Sequence, residues 1–270
     1  MSPSRFALFS GFLAVALHMT AVSISAQPVW TDKFSARGVT IDYLKPFLKD
    51  KTITGATSIT FLSARIPISD RMRLKPEIPI GYVSIQSAGP TENTTVLGNP
   101  YLGLEVLGSD GTSTAEIGLR LPTIYSETPL TQIAIATDFD RFESFAEETA
   151  AITGSFVGRN KSDAVQMEVA GGVTVLVPFN DKETEIYGQY AGQLVFKTAK
   201  VGFITGITGR ILFTEPNINF GQRSTHQVGF SMIGYFGNFR PGIMGRLAFD
   251  KPLRNLINGV VGLNASYEIR

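Results

Sequence analysis

Between Arg71 and Glu77 every second residue is charged: Arg71, Arg73, Lys75 and Glu77. Asn99, Tyr101 and Glu105 repeat that spacing in the next segment, and Glu116 and Arg120 in the one after. Further on, Glu168, Glu185, Gln189, Arg210, Arg240 and Arg246 each hold the polar parity of an otherwise apolar stretch. Side chains two apart on an extended backbone point the same way. These residues therefore read as one polar lining shared by several strands. With both signs of charge present, the chemistry on offer is ion pairing or electrostatic selection of a solute.

The elements that position them are long strands. In ETEIYGQYAGQLVFK, residues 183–197, Ile186, Gly188, Tyr190, Gly192, Leu194 and Phe196 alternate with Glu185, Tyr187, Gln189, Gln193 and Lys197. The stretches 164–177, 201–213 and 258–270 carry the same period of two, which is strand and not helix. Turn chemistry separates them, as in ISDR, GSDG, FNDKE, TAK and FGNF. Strands are expected at 39–47, 52–68, 71–86, 96–107, 112–123, 150–158, 163–178, 183–197, 199–213, 225–236, 239–249 and 258–270. That makes about twelve, or ten if the first and sixth are dropped.

At the start, Arg5 precedes the apolar run FALFSGFLAVAL and the small-residue stretch AVSISA. Residues 1–26 read as a cleaved export signal, and 27–270 as one domain. No later run of eighteen apolar residues exists, so no helical span is expected. Strands of roughly 9–11 residues can still cross a bilayer with only alternate residues apolar. The chain has no cysteine, which excludes disulfides, thiolate catalysis, Fe–S clusters and cysteine zinc sites. A formal charge of +1 offers nothing to attract nucleic acid.

Strand length chooses between a soluble sandwich and a membrane barrel. Sandwich strands run typically about 5–6 residues, whereas many here run about twice that. A sheet whose apolar edge meets lipid must close, because no water can satisfy a bare edge. The expected fold is therefore all-β: an antiparallel up-and-down transmembrane barrel with outer-membrane lipid outside and the polar parity inside. Placing both termini on the periplasmic side puts the short turns there and the longer connections at 87–95, 124–149, 214–224 and 250–257 outside. The 124–149 loop holds a helical stretch near 139–148 and reads as a lid or an inward fold over the lumen mouth. Phe196, Phe203, Phe236, Phe239 and Tyr267 then fall at inner strand ends, and Phe213 and Phe249 at outer ends. Those are the places for interfacial aromatic girdles.

Catalytic signals are thin. Two histidines exist, and His18 lies in the signal. His226, in RSTHQ, has Ser224 two residues before it, while Val228 stands two after, where a lipid-facing His/Ser hydrolase would carry its serine. An interfacial surface histidine is the simpler reading. No zinc-ligand set, phosphate loop or nucleophile elbow is present, and Glu147 and Glu148 read as a solvated helix face. No catalytic residue, metal or cofactor is expected.

LGNPYLGLEV, residues 97–106, followed after a tight turn by EIGLRLPT, residues 116–123, and a long loop, resembles a hairpin of the outer-membrane family named after the meta pathway of phenol degradation. Here Asn99 stands where an Asp is common, and Ile124 follows Pro122-Thr123 where the pattern has Gly. The resemblance implies a channel for small compounds, aromatic ones among them. At the C-terminus, Leu263, Ala265, Tyr267 and Ile269 reproduce the alternating apolar signal read by the barrel-assembly machinery, with Arg270 in the place of the usual terminal aromatic. The function expected is passive passage of small solutes across the outer membrane. The alternatives are a non-conducting structural or surface-interaction barrel and a lipid-modifying enzyme.

Overall fold

The computed structural model describes residues 37–49, 57–85, 92–126, 128–160, 165–215, 217 and 219–269. The export-signal expectation and residues 52–56 of the expected second strand lie outside them. Thirteen strands form among these residues: β1 (Gly38–Leu48), β2 (Ser58–Pro67), β3 (Met72–Ile85), β4 (Glu92–Leu97), β5 (Tyr101–Leu107), β6 (Ser113–Arg120), β7 (Thr149–Arg159), β8 (Val165–Pro178), β9 (Glu185–Lys197), β10 (Val201–Leu212), β11 (Ser224–Gly234), β12 (Phe239–Ala248) and β13 (Ile257–Glu268).

All pairings are antiparallel, and β1 joins both β2 and β13, so the sheet closes into an up-and-down barrel of twelve wall positions. The thirteenth strand is an interruption. β3 pairs with β5 through Met72–Glu77 and with β4 through Ile80–Ile85, so β4 and β5 occupy one wall position in two pieces. The expected continuous strand at 96–107 is corrected to this broken one, which begins earlier and leaves Gly98, Asn99 and Pro100 between its two pieces. Pro100 has no N–H to give, and Asn99 is used elsewhere, as shown below.

Parity along each strand is clean. On β8, Val165, Met167, Val169 and Val173 are exposed, while Ala170, Gly172, Thr174 and Leu176 between them are buried. Exposed Leu102, Ile117, Leu119, Ile207, Phe230, Ile243, Leu247, Val261 and Leu263 continue an apolar outer surface around the wall. That surface and the ladder closure meet the bilayer's two demands, apolar contact outside and no unpaired sheet edge. The chain is thus an outer-membrane β-barrel.

The seven aromatics expected at the interfaces are all exposed on the outside. Phe196 lies opposite Phe203, and Phe239 opposite Tyr267 and bridged to Phe236, all beside the short turns. Outward glycines serve such rings. Gly209 lies under Tyr190, Gly188 under Phe213, and a Cβ on Gly245 would come 2.6 Å from the Phe230 ring. Aromatic rings over strand glycines replace packing that the missing side chain cannot give.

Between β6 and β7 the chain does not stay outside. It forms helix α1 (Pro129–Thr137) and a 310 helix (Phe139–Phe145), both inside the barrel. The helical region therefore starts ten residues earlier than the 139 expected from sequence. Thr128 sets the start: its Oγ1 accepts Thr131 N–H at 3.3 Å while Thr131 Oγ1 accepts Thr128 N–H at 3.0 Å. Two small helices, α2 (Phe220–Arg223) and α3 (Lys251–Leu256), sit in outer connections. Around α1 gathers the largest apolar cluster, with Leu44, Ile59, Phe61, Met244, Ile257 and Val260 from the wall against Ala134, Ala136 and Phe145. The hydrophobic core of this barrel lies in its outer half, made by an inserted element.

One wall contact is tight enough to test. A Cβ on Gly206 would lie 2.7 Å from Gln193 Cβ and 2.9 Å from its Cα, across the β9–β10 pair. Backbone must move to admit it, at a cost of about 1–3 kcal/mol. Gly206→Ala is expected to lower the temperature at which the folded band is lost in a heat-modifiability gel, whereas Gly192→Ala, which faces open space, leaves it unchanged.

Candidate functional site

The inserted segment meets the wall through charge. Arg246 Nη1 on β12 donates to Asp138 Oδ1 at 2.7 Å, and Arg141 Nη2 lies 2.7 Å from Asp138 Oδ2. Arg141 Nη1 donates to Glu77 Oε2 on β3 at 2.9 Å, and Arg120 Nη2 on β6 donates to Glu77 Oε1 at 2.8 Å. On the opposite wall, Arg210 Nη1 of β10 donates to Glu143 Oε2 at 3.0 Å and its Nη2 to the Asp140 carbonyl, while Thr208 Oγ1 donates to Asp140 Oδ2 at 3.0 Å. Arg141 also stacks 3.4 Å over the Phe61 ring, and Arg210 4.6 Å over Phe142. A chain of alternating charges thus crosses the lumen from β3 to β10 and β12, through the plug. Its wall residues are nearly sealed from solvent: Glu77 and Arg210 are each 2% exposed.

Asn99 is the second anchor, and it accounts for the broken strand. Its Nδ2 donates to the carbonyls of Glu143 at 3.0 Å and Ala146 at 2.7 Å, its Oδ1 accepts Thr123 N–H at 2.8 Å and Ile124 N–H at 3.3 Å, and its own N–H donates to the Ser144 carbonyl at 2.7 Å. The Asn99 carbonyl accepts from Arg120 Nη1 at 2.9 Å. One side chain thereby ties the entrance of the inserted segment to its exit. Gly98 makes room: a Cβ there would lie 2.8 Å from Pro79 Cγ and 2.9 Å from the Phe145 ring. The Gly-Asn-Pro of LGNPYLGLEV is a docking notch for the plug. Thr123, at the end of EIGLRLPT, closes it, with Oγ1 donating to the Gly98 carbonyl at 3.0 Å.

Toward the short turns the lining is a separate group. Lys75 Nζ donates to Glu116 at 3.0 Å, and Tyr101 Oη to Glu116 Oε1 at 2.5 Å. Glu105 pairs with Arg65 and Arg73, Glu168 takes Gln193 Nε2 at 2.6 Å, and Arg240 pairs with Glu268 at 3.1 Å. At the level of the plug, Gln189, opposite Arg210, donates to Thr174 at 2.7 Å, and Glu185, at the far end of β9 from its short turn, takes Tyr187 Oη at 3.0 Å.

Of the residues expected in the lining, Arg71 is corrected: it sits exposed in the β2–β3 turn, one position beyond the strand. The others face inward, but Glu77, Asn99, Arg120, Arg210 and Arg246 hold the plug and do not border open space. Sequence reading missed their partners Asp138, Asp140, Arg141 and Glu143, as well as Asp42, Arg65 and Arg159. The signal was present in TDFDRFESF, where acids and an arginine alternate with phenylalanines inside a supposed outer loop. Glu147 and Glu148 lie past the helices rather than on a helix face; Glu147 pairs with Lys182 at 3.6 Å. His226 points outward between Tyr190 and Phe220, with Nδ1 2.9 Å from Asp250 Oδ2.

Two plug acids are shifted in opposite directions. Burial favours the neutral form of Asp138, but the guanidiniums of Arg246 and Arg141 outweigh it and hold the carboxyl at about 2. Asp140 is raised by burial, which Arg246 and Arg210 only partly offset and which the neighbouring Asp138 reinforces.

No family model matches the chain and no curated relative matches it, so the expected likeness to the meta-pathway family is not confirmed. Among solved structures it is similar to the NanC porin, at 9% identity and a TM-score of 0.52 over 87% of this chain and 100% of that one. It also aligns with LpxR from Salmonella typhimurium at 8% identity, covering 86% and 100% of the two chains with a TM-score of 0.49. The translocator domain of the autotransporter NalP from Neisseria meningitidis aligns at 8% identity over 98% and 97%, also with a TM-score of 0.49.

Removing Asn99 leaves buried donors and acceptors at both ends of the plug unpaired, at about 1–3 kcal/mol for each group left so. Asn99→Ala is expected to make the 124–148 segment cleavable by added protease while the barrel stays folded. The acids give a pH test. Stability from Asp138 is complete above the unfolded carboxyl value near ~3.9 and is lost as pH falls through about 2. Asp140, being raised, binds its proton more tightly in the seated plug, so acidification favours seating. Protease resistance of the segment should therefore hold from neutral pH down to about pH 4, and Asp138→Asn should weaken it more than Asp140→Asn.

Proposed function

We propose that this barrel is a gated conduit for passive passage of small solutes, with the segment 124–148 as its gate. The observation that carries the reading is what fills the lumen. Barrels of about eight strands fill themselves with wall side chains. This one has twelve wall positions and is stoppered by a loop segment, held by buried charge contacts as well as by the apolar cluster around α1. A buried ion pair contributes little net stability against a hydrophobic equivalent, because desolvation of the two charges offsets their attraction. Entrance and exit of the segment meet in the hydrogen bond from Glu148 N–H to the Ile124 carbonyl at 2.7 Å, so the plug can leave without disturbing the wall.

The porin-like fold supports this reading, and the motifs shared with the meta-pathway family favour hydrophobic or aromatic compounds among the solutes. The apolar surface of α1 and its wall contacts suit such a path. A lipid-modifying role for His226 has less support, since Ser224 Oγ donates to the Phe220 carbonyl at 2.7 Å and not to the imidazole. A non-conducting barrel with functional outer loops is the competing reading, favoured by the near-complete burial of the charge lattice.

Planar-bilayer recording separates the two. The native protein should show rare, brief openings. Arg210→Ala leaves Glu143 without its wall partner, at a cost of about 3–5 kcal/mol for a broken buried pair. That cost should raise the open fraction at least about tenfold, since ~1.4 kcal/mol is a factor of ten. Replacing residues 129–145 by a short Gly/Ser linker should give steady conductance. Silence from the folded deletion protein would establish the non-conducting reading.

A further inference from the structure

Among the described residues, one group of charges near the short turns holds more cations than acids. Arg65, Arg73, Lys75 and Arg159 face Glu105, Glu116 and Glu168. Lys75 and Tyr101 engage Glu116. Glu105 serves two guanidiniums at once: Arg65 Nε donates to both its oxygens, at 3.2 and 3.1 Å, and Arg73 Nε lies 3.2 Å from Oε2. The Arg73 contact is close enough to attract but misaligned for a hydrogen bond. Both Nε and Nη1 of Arg73 are without a hydrogen-bond partner among the described residues, although Arg73 is 4% exposed. Arg159 reaches only the edge of its own acid, 4.0 Å from Glu168 Oε1, and that acid already accepts from Gln166 and Gln193. Arg65 and Arg159 are among the cations that act on Arg73.

A buried guanidinium N–H left without an acceptor is costly, and the arrangement persists only if something supplies one. We propose that Arg73, with Arg65 and Arg159, forms a binding site for a small oxyanion, a carboxylate or a phosphate group, reached from the short-turn end of the lumen. Side-chain exposure is 5% at Arg73, 16% at Arg65 and 24% at Arg159, so the guanidinium with orphaned donors is the most buried of the three and the other two are open to solvent. Short turns face the periplasm in such barrels, so the anion arrives from that side. A guanidinium N–H gives an oxyanion a charge-assisted hydrogen bond, shorter and stronger than a neutral one. The site lies away from the plug's loop and needs no release of the plug, so this proposal stands or falls apart from the gated-conduit reading.

Calorimetric titration of the folded barrel in uncharged detergent at low chloride tests it, using inorganic phosphate and, separately, acetate. Saturable binding of one anion per barrel by either probe is expected, weakening as sodium chloride is added. Arg73→Gln should lower the affinity at least tenfold, Arg73→Lys should retain part of it, and exposed Lys182→Ala should leave it unchanged. Heat-modifiability confirms folding of each variant, and Arg159→Gln, at the more exposed rim, replaces Arg73→Gln if that protein does not fold. The probe that binds assigns the class of oxyanion. No saturable binding of either probe, or undiminished binding by the folded arginine variants, would overturn the proposal.

Discussion

Everything in this molecule follows from the rule that a backbone N–H or carbonyl facing acyl chains must be paired within the protein. That rule closes β1 onto β13 and leaves no free edge along the apolar band. Closure at twelve wall positions then encloses more space than the inward side chains of the wall occupy. The remaining volume must hold water or another part of the chain, and in the outer half it holds α1 and the 310 helix.

Filling the lumen with backbone creates a second requirement. The inserted segment brings its own peptide groups and acids into a place with little water, and each needs a partner. Asn99 answers for the peptide groups, accepting from Thr123 and Ile124 and donating to Glu143 and Ala146. Arg120, Arg210 and Arg246 answer for the charges, directly or through Glu77 and Arg141. The break at Asn99 is the consequence: its N–H and carbonyl serve Ser144 and Arg120, while Gly98 N–H still donates to the Pro79 carbonyl and the Pro100 carbonyl still accepts from Leu121 N–H. Among the described residues no inserted element enters the other half of the lumen, and there the charges settle among themselves less completely.

Much of the architecture was legible from period alone. Alternation on β8, β9, β10 and β13 separates lipid from lumen residue by residue, because a strand side chain has only two directions to take. The turn residues narrowed the strand count, and the aromatics at strand ends were legible as outward-facing. Arg71 was misplaced because alternation runs on into the turn, where parity no longer has meaning. The charge pattern of TDFDRFESF was visible, but a loop has no period to say which way it folds.

By itself, then, the sequence determined which face of each strand meets lipid and that the lumen would be charged, and it narrowed the wall to about twelve strands or ten. Only the tertiary structure decided who partners whom. Arg246 meets Asp138 across 108 residues of chain and Arg210 meets Glu143 across 67. Such choices depend on the register and tilt of the whole closed sheet and on where the loop enters it. A local pattern encodes direction and exposure; it carries no information about which distant residue waits on the other side of a lumen.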